Sequence, residues 1–305
     1  MVSISVIIVN YNARYFLKNC IGSVLSADIA DQLEIIVVDN NSSDGSSEMI
    51  HRDFPQVNYV QNDKNIGFSR ANNRGVSMAK GNYVLILNPD TMLTETALSE
   101  VFEFSEKQTD FGAAGVHFID GSGTYLPESK RNFPNLKVAG SKLLGYSKYY
   151  YANHIHKNDI AEVDILTGAF MFVKKEVYKE VGGFDEAFFM YGEDIDLSYR
   201  IGKAGYKNYF LGSTKVLHFK GESTVKDAFY FHNFYGALSI FYRKHSPNRK
   251  ALYGVIDVLV KIIIAVKSMM FSSTEIKPVK FDKWIYYGTD QQLMEKIKIK
   301  YPSSN

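Results

Sequence analysis

Short apolar runs separated by mixed stretches of helical length recur through the first part of the chain. Residues 5–9, 34–38, 57–61 and 82–87 are predicted strands; residues 14–25, 46–52 and 69–79, with apolar positions at helical spacing, are predicted helices. β-Branched runs this short, flanked on both sides by helices, belong in strands covered on both faces. The expected fold class is therefore α/β with a mainly parallel sheet and right-handed crossovers. Gly81 reads as the stop of the third helix, a residue able to take positive φ. No repeat of solenoid period is present.

The residues just after each strand carry the chemistry. The runs end in Asn10-Tyr11-Asn12, Asp39-Asn40-Asn41, Asn62-Asp63 and Asn88-Pro89-Asp90, and in an open parallel sheet such ends share one edge, where ligands bind. Each cluster taken singly also fits a turn or a helix cap; four in succession favour a site. No GxGxxG follows the first strand and no GxxxxGK[ST] occurs, so any nucleotide is held without a dinucleotide fingerprint or a P-loop.

Composition narrows the field. With 46% hydrophobic and 22% charged residues among 305, the chain buries a sizeable core, which excludes disorder as a description of the whole. A single cysteine, Cys20, excludes an intramolecular disulfide and any zinc site built on several thiolates. The N-terminus lacks a basic region followed by a cleavable small-residue site, so no secretory signal is expected. The net charge of +2 conceals a basic tail, residues 243–305 holding 12 Lys and Arg against 5 Asp and Glu. That is too narrow a basic surface for nucleic acid and better suited to an anionic membrane surface or an acidic partner.

Six motifs occur in order: NYN at 10–12, VVDNNSSDGS at 37–46, NIGFSRANNRG at 65–75, LNPDT at 87–91, the run TGAFMFVKKEVYKEVGGFDEAFFMYGEDIDLSYR at 167–200, and HFKGES at 218–223. Together they resemble the family 2 inverting glycosyltransferases of GT-A type fold, and most closely the rhamnosyltransferase-like branch, over about residues 3–225. The resemblance implies a nucleotide-sugar donor and a divalent cation, Mg2+ or Mn2+, which would stabilise departure of the diphosphate as a Lewis acid. It places the cation on Asp90 and His218. Where the family often carries an acidic pair, the first member here is Asn88, leaving one carboxylate in that motif. Asp39 matches the family's contact to the base, and equally fits a cap for the following helix. Asn10 and Asn12 read as nucleoside contacts or turn formers. Arg70 and Asn72, on the loop and helix beside the donor, match positions for phosphate and for ribose or sugar, and Arg70 also fits a solvated helix face. Gly168, in the TGA element, allows close approach of donor and acceptor.

The acidic run Glu193-Asp194-Ile195-Asp196 is the expected catalytic element. An acceptor hydroxyl is a poor nucleophile until a positioned carboxylate takes its proton, and Asp194 is assigned that role with Glu193 beside it. Leu197, Ile201 and Ala204 continue a helix from this point. The alternative is an acidic first turn stabilised by the helix dipole. Residues 120–160 match the family least well and are expected to shape the acceptor site.

Residues 249–271 are apolar enough to raise a membrane span, yet Asp257, Lys261 and Lys267 each cost ~2.5–3.5 kcal/mol near a bilayer centre. On a helical wheel the charges occupy one narrow arc, which suits a helix lying in a membrane interface. The soluble alternative packs it on the catalytic domain or on a second copy in a homodimer. The expectation is a GT-A catalytic domain at 1–225 with a helical, membrane-associating region at 226–305. It would move a sugar from a nucleoside diphosphate donor, dTDP-rhamnose or a UDP-sugar, to a glycan or lipid-linked glycan. The site would be cytoplasmic, peripheral on the inner face of the membrane. A sugar nucleotidyltransferase and a non-catalytic glycan- or nucleotide-sugar-binding protein on the same fold are the rival classes.

Overall fold

The structure is a computed structural model describing residues 2–133, 138, 149–219, 228–246 and 250–271. Its strands are β1 (Ile4–Asn10), β2 (Leu33–Asp39), β3 (Asn58–Gln61), β4 (Tyr83–Leu87), β5 (Thr91–Leu93), β6 (Phe111–Ile119), β7 (Ile160–Glu162), β8 (Phe170–Lys174) and β9 (Lys207–His218). Helices α1 (Arg14–Leu25), α2 (Ser46–Asp53), α3 (Phe68–Met78), α4 (Ala97–Lys107), α5 (Lys175–Glu180) and α6 (Glu193–Lys203) surround them, followed by α7 (Ala228–His245) and α8 (Lys250–Phe271).

The strands form one sheet in the order β3-β2-β1-β4-β8-β6-β9-β5, with β7 also paired to β9. β1 to β4 are mutually parallel, as the alternation of runs predicts. β8 enters antiparallel between β4 and β6, and β5 and β7 run antiparallel to β9, so the sheet is mixed but mostly parallel. Each central strand divides its side chains between two cores. Val6 and Ile8 pack with Leu17, Ile21 and Val24 of α1, while Ile7 and Val9 pack with Ala71 and Val76 of α3. Burial on both faces is why these runs are continuously apolar rather than alternating.

One detail differs from expectation. Helix α3 ends at Met78, and Gly81 does not adopt positive φ. A Cβ there would lie 2.8 Å from the Ser5 nitrogen, so glycine is needed for close backbone approach and not as a left-handed cap. The helices after residue 226, for which both a membrane surface and packing on the catalytic domain were left open, meet the catalytic elements directly. Ala237, Phe241 and Tyr242 of α7 and Ile256 and Val260 of α8 form a third core with Phe188, and Phe133, Ile195 and Tyr199 pack against it. The outer side of α8 leaves Val258, Leu259, Ile262 and Val266 exposed. Among the described residues no helix is long and apolar enough to cross a membrane.

Candidate functional site

The parallel strands end along one edge, and register fixes what meets there. Asn10 lies opposite Asp39 at the ends of β1 and β2. The Asn10 amide donates to Asp39 Oδ2 at 2.7 Å and to Ser42 Oγ at 3.0 Å, while Asp39 Oδ1 accepts the Ser42 N–H at 2.7 Å. A carboxylate only accepts, which fixes the amide's orientation and leaves Asn10 Oδ1 buried without a partner. Asn12 is exposed, takes φ 53° and accepts the Ser43 N–H at 2.8 Å; in this chain it builds the turn. Asp44, not Asp39, bonds the first N–H groups of the neighbouring helices, accepting from Arg14 at 2.8 Å and Ser46 at 3.1 Å.

Pairing of β5 with β9 places Thr91 opposite His218 and so sets Asp90 beside that ring. His218 Nε2 is 3.5 Å from Asp90 Oδ1, both residues are buried, and Asp90 Oδ1 and His218 Nδ1 have no hydrogen-bond partner. Two buried groups left short of partners fit an external cation, for which oxygen and imidazole ligands suit Mn2+ or Mg2+. Among the described residues no group of three or more His, Cys, Asp or Glu side chains gathers for a metal, so the remaining ligands would come from donor oxygens and water. Gly221 and Ser223 of the same motif lie outside the described residues.

A short relay joins this pair to the acidic cluster. The Asn88 N–H donates to the Ala169 carbonyl at 3.0 Å, and the neighbouring Gly168 N–H donates to Asp194 Oδ2 at 3.1 Å. Asp194 is buried in the first turn of α6, where Oδ1 accepts the Ile195 N–H at 2.8 Å. The turn starts at Gly192 with φ 83°, and a Cβ there would meet Ala237 Cβ at 2.8 Å, so the helix carrying the acids can start here only on glycine. Glu193 is also buried, with Oε2 unpartnered. Burial, then the adjacent Asp194 carboxylate, push its acid well above the usual carboxylate range.

The third acid does structural work. Asp196 is fully buried and accepts from Arg200 Nε at 2.8 Å, His245 Nε2 at 2.7 Å and Lys244 Nζ at 3.1 Å. Burial alone would raise its pKa, but bonds from His245, Arg200 and Lys244 outweigh that and hold it below the ordinary value.

A model of the family described as Glycosyl transferase family 2 matches residues 5–182, and one described as the N-terminal domain of galactosyltransferase matches residues 156–222. The chain belongs to glycosyl transferase family 2. The N-acetylglucosaminyl-diphospho-decaprenol L-rhamnosyltransferase of Mycobacterium tuberculosis (strain CDC 1551 / Oshkosh) is 28% identical over 241 residues, 73% of this chain and 78% of that protein. Among solved structures, the mannosyltransferase PcManGT from Pyrobaculum calidifontis in complex with GDP-Man and Mn2+ covers 90% of this chain and 76% of its own, at TM-score 0.57 and 17% identity. GalNAc-T7 with UDP, GalNAc and Mn2+ has TM-score 0.55 and 17% identity, covering 72% of this chain; the match spans only 44% of that longer chain. The fold is GT-A type.

In this family 2 glycosyltransferase the remaining expected residues are placed unevenly. Asn72 is buried on α3, its amide bonded to the Phe68 carbonyl at 3.0 Å and its Oδ1 unpartnered. Arg70 projects from α3 to pair with Glu186 at 3.3 Å, both more than half exposed; this is the solvated helix face that the sequence left open. Asn88 contributes its backbone, its carbonyl accepting from Thr91 Oγ1 at 2.7 Å. Sequence reasoning missed Arg131. Its Nη2 bonds Asp194 Oδ2 at 2.6 Å and also the Leu166 carbonyl. It missed Arg74 too, whose guanidinium bonds Asn62.

Proposed function

We propose that this glycosyltransferase moves a hexosyl group, L-rhamnose above others, from a nucleoside diphosphate donor to a lipid-linked glycan with inversion at the anomeric carbon. The observation that carries the reading is the relay from Asn88 through Ala169 and Gly168 to Asp194. It puts a cation-type pair and a buried carboxylate on one edge of one sheet, as a transfer between donor and acceptor requires. The kinship with an L-rhamnosyltransferase acting on a diphospho-decaprenol substrate supports the donor and acceptor classes.

Asp39 and Asn10 would receive the base and nucleoside, with Asn10 Oδ1 offering an unused acceptor. Asp90 and His218 would hold a divalent cation, which when bound offsets the negative charge gathering on the leaving diphosphate. Asp194 takes the proton from the acceptor hydroxyl as that oxygen attacks the anomeric carbon and the bond to the diphosphate breaks. The test is a panel of nucleotide sugars measured for protection against thermal unfolding with and without Mn2+. dTDP-rhamnose should raise the midpoint most and only with the cation; protection by none of the donors would remove the reading.

The same proposal includes attachment to the inner membrane surface. The exposed Val258, Leu259, Ile262 and Val266 share the outer face of α8 with the exposed Lys261, and residues 243–305 carry an excess of basic side chains. Replacing Leu259, Ile262 and Val266 together by serine should reduce flotation with phosphatidylglycerol vesicles. Equal flotation of parent and variant removes the membrane claim.

A further inference from the structure

Asp194 is held by more than its own helix. Of its two oxygens, Oδ2 accepts from Arg131 Nη2 at 2.6 Å and from the Gly168 N–H at 3.1 Å, whereas among the described residues Oδ1 accepts the Ile195 N–H alone, at 2.8 Å. A carboxylate oxygen has two lone pairs; Oδ2 is filled and Oδ1 keeps one acceptor position. Arg131 is itself immobilised. Its backbone exchanges two 3.1 Å bonds with Ile165, its Nη2 also bonds the Leu166 carbonyl, and its Nη1 reaches the Tyr150 hydroxyl at 3.3 Å. Arg131 is buried, and a buried ion pair is a poor source of net stability compared with apolar packing of the same volume. What the guanidinium supplies here is a fixed donor, since Nη2 divides its N–H groups between the Leu166 carbonyl and Asp194 Oδ2 while Nη1 is held on Tyr150.

We infer that Arg131 is the positioning residue of the transfer reaction: it occupies Asp194 Oδ2, so that the acceptor's proton is delivered to Oδ1. The inference rests on the reading of Asp194 as the base. As the acceptor oxygen bonds to the anomeric carbon, the anomeric carbon–oxygen bond to the diphosphate breaks and its electron pair leaves with the diphosphate. The hydroxyl proton passes to Oδ1, and the guanidinium keeps its own protons throughout. The positive charge also balances the buried Asp194 carboxylate beside Glu193 and Asp196. Arg131 and Tyr150 lie within residues 120–160, the segment expected to shape the acceptor site, and tie it to the reacting carboxylate.

The test uses the full chain, dTDP-rhamnose and a short-chain N-acetylglucosaminyl-diphospho-lipid, with Arg131→Met, Arg131→Lys, Asp194→Asn and the double variant Arg131→Met/Asp194→Asn. Arg131→Met should lower kcat about 100-fold, the lower end of what a positioned base supplies, with KM for the donor within about twofold. Its acid limb of kcat against pH should move upward, because the cation opposing protonation of the Glu193, Asp194 and Asp196 group is gone. Arg131→Lys, keeping charge but not the fork, should restore the position of the limb and only part of the rate. In the Asp194→Asn background the methionine should cost nothing more, because a residue acting through Asp194 has nothing left to position. That pair also stays informative should Arg131→Met alone fail to fold, because removing both partners leaves no buried charge uncompensated. The inference falls if Arg131→Met retains kcat within about threefold, if its loss is equal at every pH and lysine rescues neither quantity, or if the two losses add. Parent-level transfer by Asp194→Asn would instead overturn the assignment of the base.

Discussion

The two ends of the site each hold a buried carboxylate beside a basic side chain, and they are built in opposite ways. Asp90 and His218 stand 3.5 Å apart with an unpartnered atom on each. Asp194 and Arg131 meet at 2.6 Å with further bonds to Gly168, Leu166 and Ile195. An incomplete pair is suited to receive something from outside, because a buried polar group without a partner gains most from an arriving ligand. A pair braced on several sides, with one Asp194 oxygen position still open, is suited to keep one geometry through a reaction. The difference separates binding from chemistry.

Substitution at the braced end should break chemistry and spare donor binding, with a loss of stability because Arg131 is left buried without its carboxylate. Asp194→Asn is expected to lower transfer by about 10³-fold while donor binding, followed by calorimetry with Mn2+ present, stays at the parent value. At the incomplete end the loss should fall on binding. Asp90→Ala removes a charged ligand worth about 1.5–3 kcal/mol, raising the donor dissociation constant ~10- to 100-fold. A chelator should bring the parent protein to the same weak binding and should not weaken the variant further. If both substitutions affect kcat and donor affinity in equal proportion, the division of labour is wrong.

Asp196→Asn addresses the frame of the Asp194 end. With Arg200, Lys244 and His245 left short of a carboxylate, unfolding should become easier by about 3 kcal/mol. Because the folded protein holds this carboxyl below the ordinary aspartate value, the stability it contributes is in place above that value and is lost as pH falls through the lower, folded-state one. Denaturant midpoints of parent and variant should therefore converge in acid. A constant gap across the pH range would refute the ionic origin of the contact.

How much of this was written in the chain varies with physical cause. β1 to β4 were legible because strands buried on two faces must be continuously apolar, and their helices repeat at fixed intervals. Asp39, Asp90 and Asp194 were legible through ordered motifs. The pairing of Asp90 with His218 depends on β5 running antiparallel to β9, a long-range register to which no local pattern points. Arg131 gave no signal at all. In Ser-Lys-Arg-Asn-Phe-Pro two adjacent cations read as a solvated turn, yet an extended backbone sends them to opposite sides and buries both. The aromatic run of α7 divides its faces, Phe231, Phe241 and Tyr242 being buried within the protein while Phe229 and Phe234 are exposed, a split that the unbroken run does not announce.

The reach of Asp196 to Lys244 and His245 changes where the working enzyme ends. The helix bearing the proposed proton acceptor is fastened two residues further on to the last turn of α7, so a truncation at residue 225 would keep every motif of the family and yet unmoor the turn that carries Asp194. On the proposed reading, a minimal active version is expected to extend at least through His245.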